Sequence, residues 1–203
     1  RDVEPLVEEA VEASLDGLRD AGARLADVEL DLFGRFGTIQ QAMQFVEAAS
    51  VHAGWLRTRL ADYGPDVRAR LLAGLFLPST TYTLGQRARR LAFAAFERVL
   101  ERVDVLAAPT MPVTAPPIGD DTVEIDGVRI AYRLSLIPFN SPWSLVGAPV
   151  VSVPAGFVDG LPVGLALVGP RFGEAIVLRA AHAFQRVTDW HERRPALATG
   201  AVT

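Results

Sequence analysis

The stretch spanning residues 138–174 constrains this chain more than any other. It holds two apolar runs, residues 148–153 and 163–168, with the turn signal Phe157-Val158-Asp159-Gly160 between them. An Asp-Gly pair between β-branched runs predicts a tight strand connection, because both central residues of such a turn need positive φ. Neither run alternates polar with apolar residues. Each strand is therefore expected to be covered on both faces, as in the middle of a sheet flanked by helices. Gly147, Gly156, Gly164 and Gly169, with Pro149, Pro154 and Pro162, punctuate the strand ends.

Upstream, Leu6, Val7, Val11, Leu15 and Leu18 recur at three- and four-residue steps and predict a helix over 4–20, ended at Gly22. Residues 24–30 read as a short strand, and helix followed by strand suggests a βαβ unit lacking its first strand. A second helix is expected over 38–63, stopped by Gly64-Pro65, and a third over 66–76. A fourth, capped by Ser79 or Thr80, reaches about Val103 and leads into a strand at 104–108. A proline-rich passage follows, and Asp126-Gly127 marks a hairpin between 122–125 and 128–131. Residues 134–146 are expected to hold short helical turns. The last helix is expected over 173–188, with Ile176, Ala180, Phe184 and Val187 inward.

A chain of 203 residues can form one domain with a real core, or half of a larger one. Its net charge of −4 and lack of a basic cluster argue against nucleic-acid binding. No apolar run is long enough to span a membrane and no secretory signal opens the chain, so a cytoplasmic protein is expected. The absence of cysteine excludes disulfides, thiolate metal sites and a cysteine nucleophile. All 20 basic residues are arginine. A mechanism that needs a neutral lysine as base cannot run on this chain alone, because arginine stays protonated.

Little else in the residues points to catalysis. No Gly-x-Ser-x-Gly elbow is present, and Ser152 lies in an apolar strand, where a hydroxyl more often bonds backbone than substrate. His52, His182 and His191 fall on a helix boundary, a solvated helix face and the tail, so no metal site is expected. The glycine spacings after Gly160 lack the Gly-Lys-Ser/Thr ending of a phosphate loop. The fourth helix is more informative. Leu84, Ala88, Leu91, Ala92, Ala95, Phe96, Val99 and Leu100 fill one apolar arc, and Arg89 falls inside it with Tyr82 on nearly the same azimuth. A core ion pair, snorkelling past Phe96 and a role facing substrate all satisfy such an arginine. Phe139, Asn140 and Trp143, ahead of the central strand, fit loop packing or the lining of a pocket.

Several segments together resemble the amidase signature family. They are the Asn140-containing segment before Gly147, Ser152-Val153-Pro154-Ala155-Gly156, and Gly160-Leu161-Pro162-Val163-Gly164-Leu165. The run from Val103 to Pro112, ending in Pro-Thr-x-Pro, Glu174 with the last helix, and Asp189-Trp190-His191 complete the set. The match is good over 82–195 and looser over 2–30. The resemblance implies an α/β fold, a mixed β-sheet core flanked by α-helices, with residues 1–195 forming the C-terminal portion of a single amidase-type domain. Residues 196–203 are expected to be a flexible tail. It also implies hydrolysis of amide C–N bonds by a Ser–cis-Ser–Lys triad, whose Gly/Ser-rich segment and lysine have no counterpart here. The chain alone is thus expected to be inactive, to carry no catalytic residue, and to use no cofactor or metal. Its expected partners are a small-molecule amide and the missing N-terminal half, and alone it is expected to be sticky or homo-oligomeric. Some family members place a substrate-contacting arginine at the point of Arg89, which favours the substrate role for Arg89 and Tyr82. A non-catalytic interaction module, or a component like the amidase-related subunit of an amidotransferase, is the alternative function.

Overall fold

The computed structural model of the chain describes residues 2–30 and 32–195, the side chains of Phe33 and Arg35 excepted. The expected tail, 196–203, lies outside the described residues. In chain order the elements are α1 (Pro5–Asp20), α2 (Phe33–Thr58), α3 (Pro65–Phe76), α4 (Ser79–Leu100) and β1 (Leu106–Pro109). There follow β2 (Thr122–Ile125), β3 (Val128–Ala131), α5 (Tyr132–Val146), β4 (Val150–Val158), β5 (Leu161–Val168) and α6 (Glu174–Gln185). Two compact units result. Leu30–Arg98 is helical, and the segments before and after it form a unit built on a sheet.

In the sheet unit, β5 is the central strand of an antiparallel sheet ordered β1-β5-β4. The predicted Asp-Gly turn joins β4 to β5, with φ of 49° at Asp159 and 78° at Gly160. Asp126 and Gly127, at 52° and 77°, do the same for β2 and β3. Positive φ at both positions matches the right-handed twist of the flanking strands. The β4–β5 ladder shifts register between Pro154 and Gly156. An edge strand can hold a proline there, since one side of β4 owes no ladder bonds.

One face of the sheet forms the core. Val153, Ala155, Val163, Leu165 and Leu167 pack against Val7, Val11 and Leu18 of α1 and Val177, Ala181 and Phe184 of α6. Gly17 admits the Phe184 ring, whose Cε2 lies 3.0 Å from where a Cβ would stand. Gly169 similarly leaves room for Val177.

Five expectations are corrected. Cover on both faces holds for β5, where 165–168 are buried, but not for β4, where Ser152 is exposed and Val150 is 43% exposed. A central strand has neighbours on both sides and an edge strand does not. Residues 24–30 form no strand; they run mostly exposed, and no strand among the described residues pairs with them. No βαβ unit forms among the described residues, and every ladder there is antiparallel. The segment expected to hold short turns is one helix, α5, despite Pro138 and Pro142 inside it. It stops at Gly147, whose φ of 68° lets the Ala148 N–H reach the Trp143 carbonyl at 3.0 Å. The last helix ends at Gln185, leaving Val187 45% exposed; Val177 and Ala181 are the buried partners of Phe184.

The helical unit is held by close approaches at glycine. A Cβ on Gly74 of α3 would stand 2.1 Å from the Phe45 carbonyl oxygen of α2, and one on Gly85 of α4 would stand 2.3 Å from Met43 Cγ. Met43, Ala49, Leu56, Leu71, Ala92 and Phe96 are buried in this unit. The buried face of α4 is narrower than its apolar arc, for Leu84 and Leu91 are 55% and 65% exposed. No helix among the described residues is long and apolar enough to cross a membrane.

Candidate functional site

The sheet unit carries a hollow of about 340 Å³ at the end of β1. The Thr110 N–H donates to the Gly164 carbonyl at 2.9 Å, carrying the β1–β5 pairing one step past the strand. The register sets Ala108 and Ser152 on either side of Ala166, with Thr110 and Pro154 flanking Gly164 in the next row. Directly opposed residues share a face, so Thr110 and Ser152 emerge on the side away from the α1–α6 core. Their hydroxyl oxygens are 2.7 Å apart. Gly164 lies beneath them: a Cβ there would fall 2.8 Å from each oxygen. Any side chain at that position would displace the pair. Val7, Met111, Val113, Tyr132 and Val163 are among its other lining residues.

Two hydroxyls joined by one hydrogen bond leave one O–H and several lone pairs for a ligand. Among the described residues no histidine, carboxylate or guanidinium lines the hollow, so neither oxygen has a partner that could make it a nucleophile. Ser152, expected to bond backbone, is instead exposed and bonded to a side chain 42 residues away. The sequence holds two signals of it, a lone hydroxyl in an apolar strand and a threonine between prolines, but nothing that links them.

Of the predicted site residues, Phe139, Asn140 and Trp143 lie on α5, with Phe139 and Trp143 four apart on one side and both half-buried. Asn140 is exposed. Its Nδ2 donates to the Leu136 carbonyl at 3.0 Å and lies 3.7 Å from the Met111 sulfur, beside Thr110. Asn140 therefore reaches Met111, one of the residues lining the hollow. Tyr82 and Arg89 belong to the helical unit, both half-buried on α4. The Tyr82 hydroxyl donates to Glu47 Oε1 at 3.1 Å and accepts from Gln86 Nε2 at 2.8 Å.

The histidines are scattered. His52 Nδ1 is 2.9 Å from the Tyr63 hydroxyl, and its ring meets those of Tyr63 and Trp55 with centroids 5.5 Å apart. His182 is exposed on α6, and His191 sits in a 3-10 turn beside Trp190. The described residues hold no cluster of three or more His, Asp or Glu fit for a metal ion.

A family model described as Amidase matches residues 1–178. The chain belongs to the amidase family. It is 36% identical over 220 residues to a glutamyl-tRNA(Gln) amidotransferase subunit of Chloroflexus aggregans, a match covering 97% of this chain and 44% of the relative. A crystal structure of an amidase superposes with a TM-score of 0.85 at 30% identity, covering 91% of this chain and 42% of that one. The corresponding glutamyl-tRNA(Gln) amidotransferase structure from Thermotoga maritima gives a TM-score of 0.65 at 29% identity, covering 92% and 40%. This amidase-family chain thus spans under half the length of the relatives it matches, and its α/β architecture is theirs.

Proposed function

We propose that this chain is the C-terminal part of an enzyme that cleaves carboxylic amide C–N bonds. The observation that carries the reading is the family match over 1–178, supported by the superposition on an amidase. In the mechanism the family implies, a lysine and a cis-serine activate a serine that attacks the carbonyl. The bond from serine oxygen to carbonyl carbon forms, the C–N bond breaks as the leaving amine takes a proton, and water then hydrolyses the acyl-enzyme. The chain has no lysine to act as the base. It supplies sheet and helix packing; in the helical unit Arg89 and Tyr82 are the proposed substrate contacts, and in the sheet unit Phe139, Asn140 and Trp143 are the proposed pocket lining.

The reading is tested by comparing the 203-residue chain with the polypeptide extended by its N-terminal portion, using simple aryl and aliphatic amides. The extended protein is expected to release amine, and the chain alone to show no turnover above buffer. In the extended enzyme, Arg89→Ala is expected to raise KM for a polar or anionic amide with little change in kcat, as when ground-state binding is lost. A large fall in melting temperature with unchanged KM would instead assign Arg89 a structural ion pair.

A second reading is favoured by the 36% identity to amidotransferase subunits: the enzyme releases ammonia from glutamine for a glutamyl-tRNA acceptor held by partner subunits. Glutamine turnover that depends on such partners, without activity on simple amides, would select it. No turnover of either substrate class by the extended protein would leave a non-catalytic module.

A further inference from the structure

The chain holds three Asp-Gly steps in nearly the same apolar setting: Leu15-Asp16-Gly17-Leu18, Ile125-Asp126-Gly127-Val128 and Val158-Asp159-Gly160-Leu161. Such a step is chemically labile. The glycine nitrogen can attack the aspartate side-chain carboxyl carbon, because no Cβ on the glycine obstructs the succinimide ring that results. An N–Cγ bond forms, the Cγ–OH bond breaks, and the hydroxyl leaves with the amide proton as water. Water then opens the ring. Where it breaks the bond between the nitrogen and the aspartate backbone carbonyl carbon, the chain runs on through Cγ as isoaspartate. Nothing is oxidised or reduced, and solvent water is the co-reactant.

The fold separates the three steps. Ring closure needs the aspartate ψ to rotate, and both a helix and a closed two-residue turn hold ψ fixed. The reaction therefore runs from locally opened states, whose populations differ widely across one structure. Asp16 lies inside α1 with its carboxylate paired to Arg19, and Gly17 packs against the Phe184 ring. Asp126 and Asp159 stand in matching turns, with φ of 52° and 49°, followed by glycines at 77° and 78°. Turn geometry does not distinguish them, but support does. Eight residue pairs run up the β4–β5 ladder from Asp159, with Val158, Val163 and Leu165 in the core. Beside that turn, Phe157 is covered by Trp190 and by the Arg193 guanidinium, 4.8 Å from its ring centroid. Four pairs close the β2–β3 hairpin, and Ile125 is its one buried residue, with Val128 60% exposed. A bond from Arg129 Nε to Thr122 Oγ1 at 2.9 Å and one from the Tyr132 N–H to the Asp121 carbonyl at 2.8 Å hold its base. A two-stranded hairpin of this size has little stability of its own.

We infer that Asp126 is a site of spontaneous isoaspartate formation, modified in preference to Asp16 and Asp159 because the β2–β3 hairpin opens most readily. The product carries one extra carbon in the backbone at the turn. Ile125 and Val128 then no longer meet as the closing pair of the ladder, and the slip runs to Tyr132, where α5 follows β3 directly.

The experiment incubates the 203-residue chain at neutral pH, one portion native and one in concentrated guanidinium chloride, with samples taken over weeks. Each sample is digested, and isoaspartyl peptides are told from aspartyl peptides of equal mass by electron-transfer fragmentation. In the native portion isoaspartate is expected to accumulate at Asp126 at least about tenfold faster than at Asp16 or Asp159, following the difference in local opening. In guanidinium the three rates are expected to agree within about threefold, since unfolding removes that difference. Equal rates at Asp126 and Asp159 in the native portion overturn the inference, as does faster reaction at Asp16 or Asp159. A preference for Asp126 that persists undiminished in guanidinium also overturns it, because sequence rather than the fold would then set the site.

Discussion

Gly74 stands where α3 comes nearest to α2, and the atom facing it is a backbone oxygen, which cannot swing aside as a side chain can. Gly74→Ala is expected to cost about 3 kcal/mol, the upper part of the overpacking range, seen as a lower urea midpoint at constant m. Gly147 is needed for another reason, its left-handed backbone at the end of α5. Gly147→Ala places a Cβ on that left-handed residue and is expected to cost about 1–2 kcal/mol. A thermal melt of the two variants separates steric from conformational need. If Gly147→Ala proves the costlier, the close approach of α2 and α3 is not what Gly74 serves.

At the scale of elements, α6 shows how one helix face secures the sheet. Phe184 is fully buried among α1 and sheet residues, while Leu178 on the same helix is 60% exposed. Phe184→Ala is expected to destabilise by about 3–5 kcal/mol, through lost transfer energy and the cavity left behind. Leu178→Ala is expected to stay within about 0.5 kcal/mol. Denaturant titration of both checks the rotation of α6. Equal costs would mean the helix faces the sheet differently. The β4–β5 hairpin sets what α6 packs on, since its turn places Val163, Leu165 and Leu167 on the core face together.

For the whole molecule, the exposed apolar residues matter most. The sheet unit shows water Val150 on edge strand β4, Ile118 in the proline-rich passage, and Phe172 before α6. Exposed apolar surface of this kind favours association. The 203-residue chain is expected to self-associate and to bind a hydrophobic dye, measured by light scattering and dye fluorescence. A dye-silent monomer at micromolar concentration would count against this.

The residues themselves determined what depends on near neighbours in the chain. Periodicity set the helices near their observed bounds for α1, α3 and α4, and two Asp-Gly pairs set both hairpin turns. The motifs of 152–165 and 103–112 pointed to the amidase family, which the match over 1–178 bears out. Residues 24–30 misled, because a weak apolar alternation cannot say whether a partner strand exists. The continuity of α5 through two prolines was equally hidden, since local propensity opposes it and tertiary packing overrides it. Only the tertiary structure decided that Thr110 meets Ser152. Their contact depends on the registers of β1 and β4 against β5, and a slip of one residue in either would send a hydroxyl to the opposite face. Periodicity over a few residues carries no information about pairing across 42. The shared strand β5, with glycine at 164, brings the two hydroxyls together.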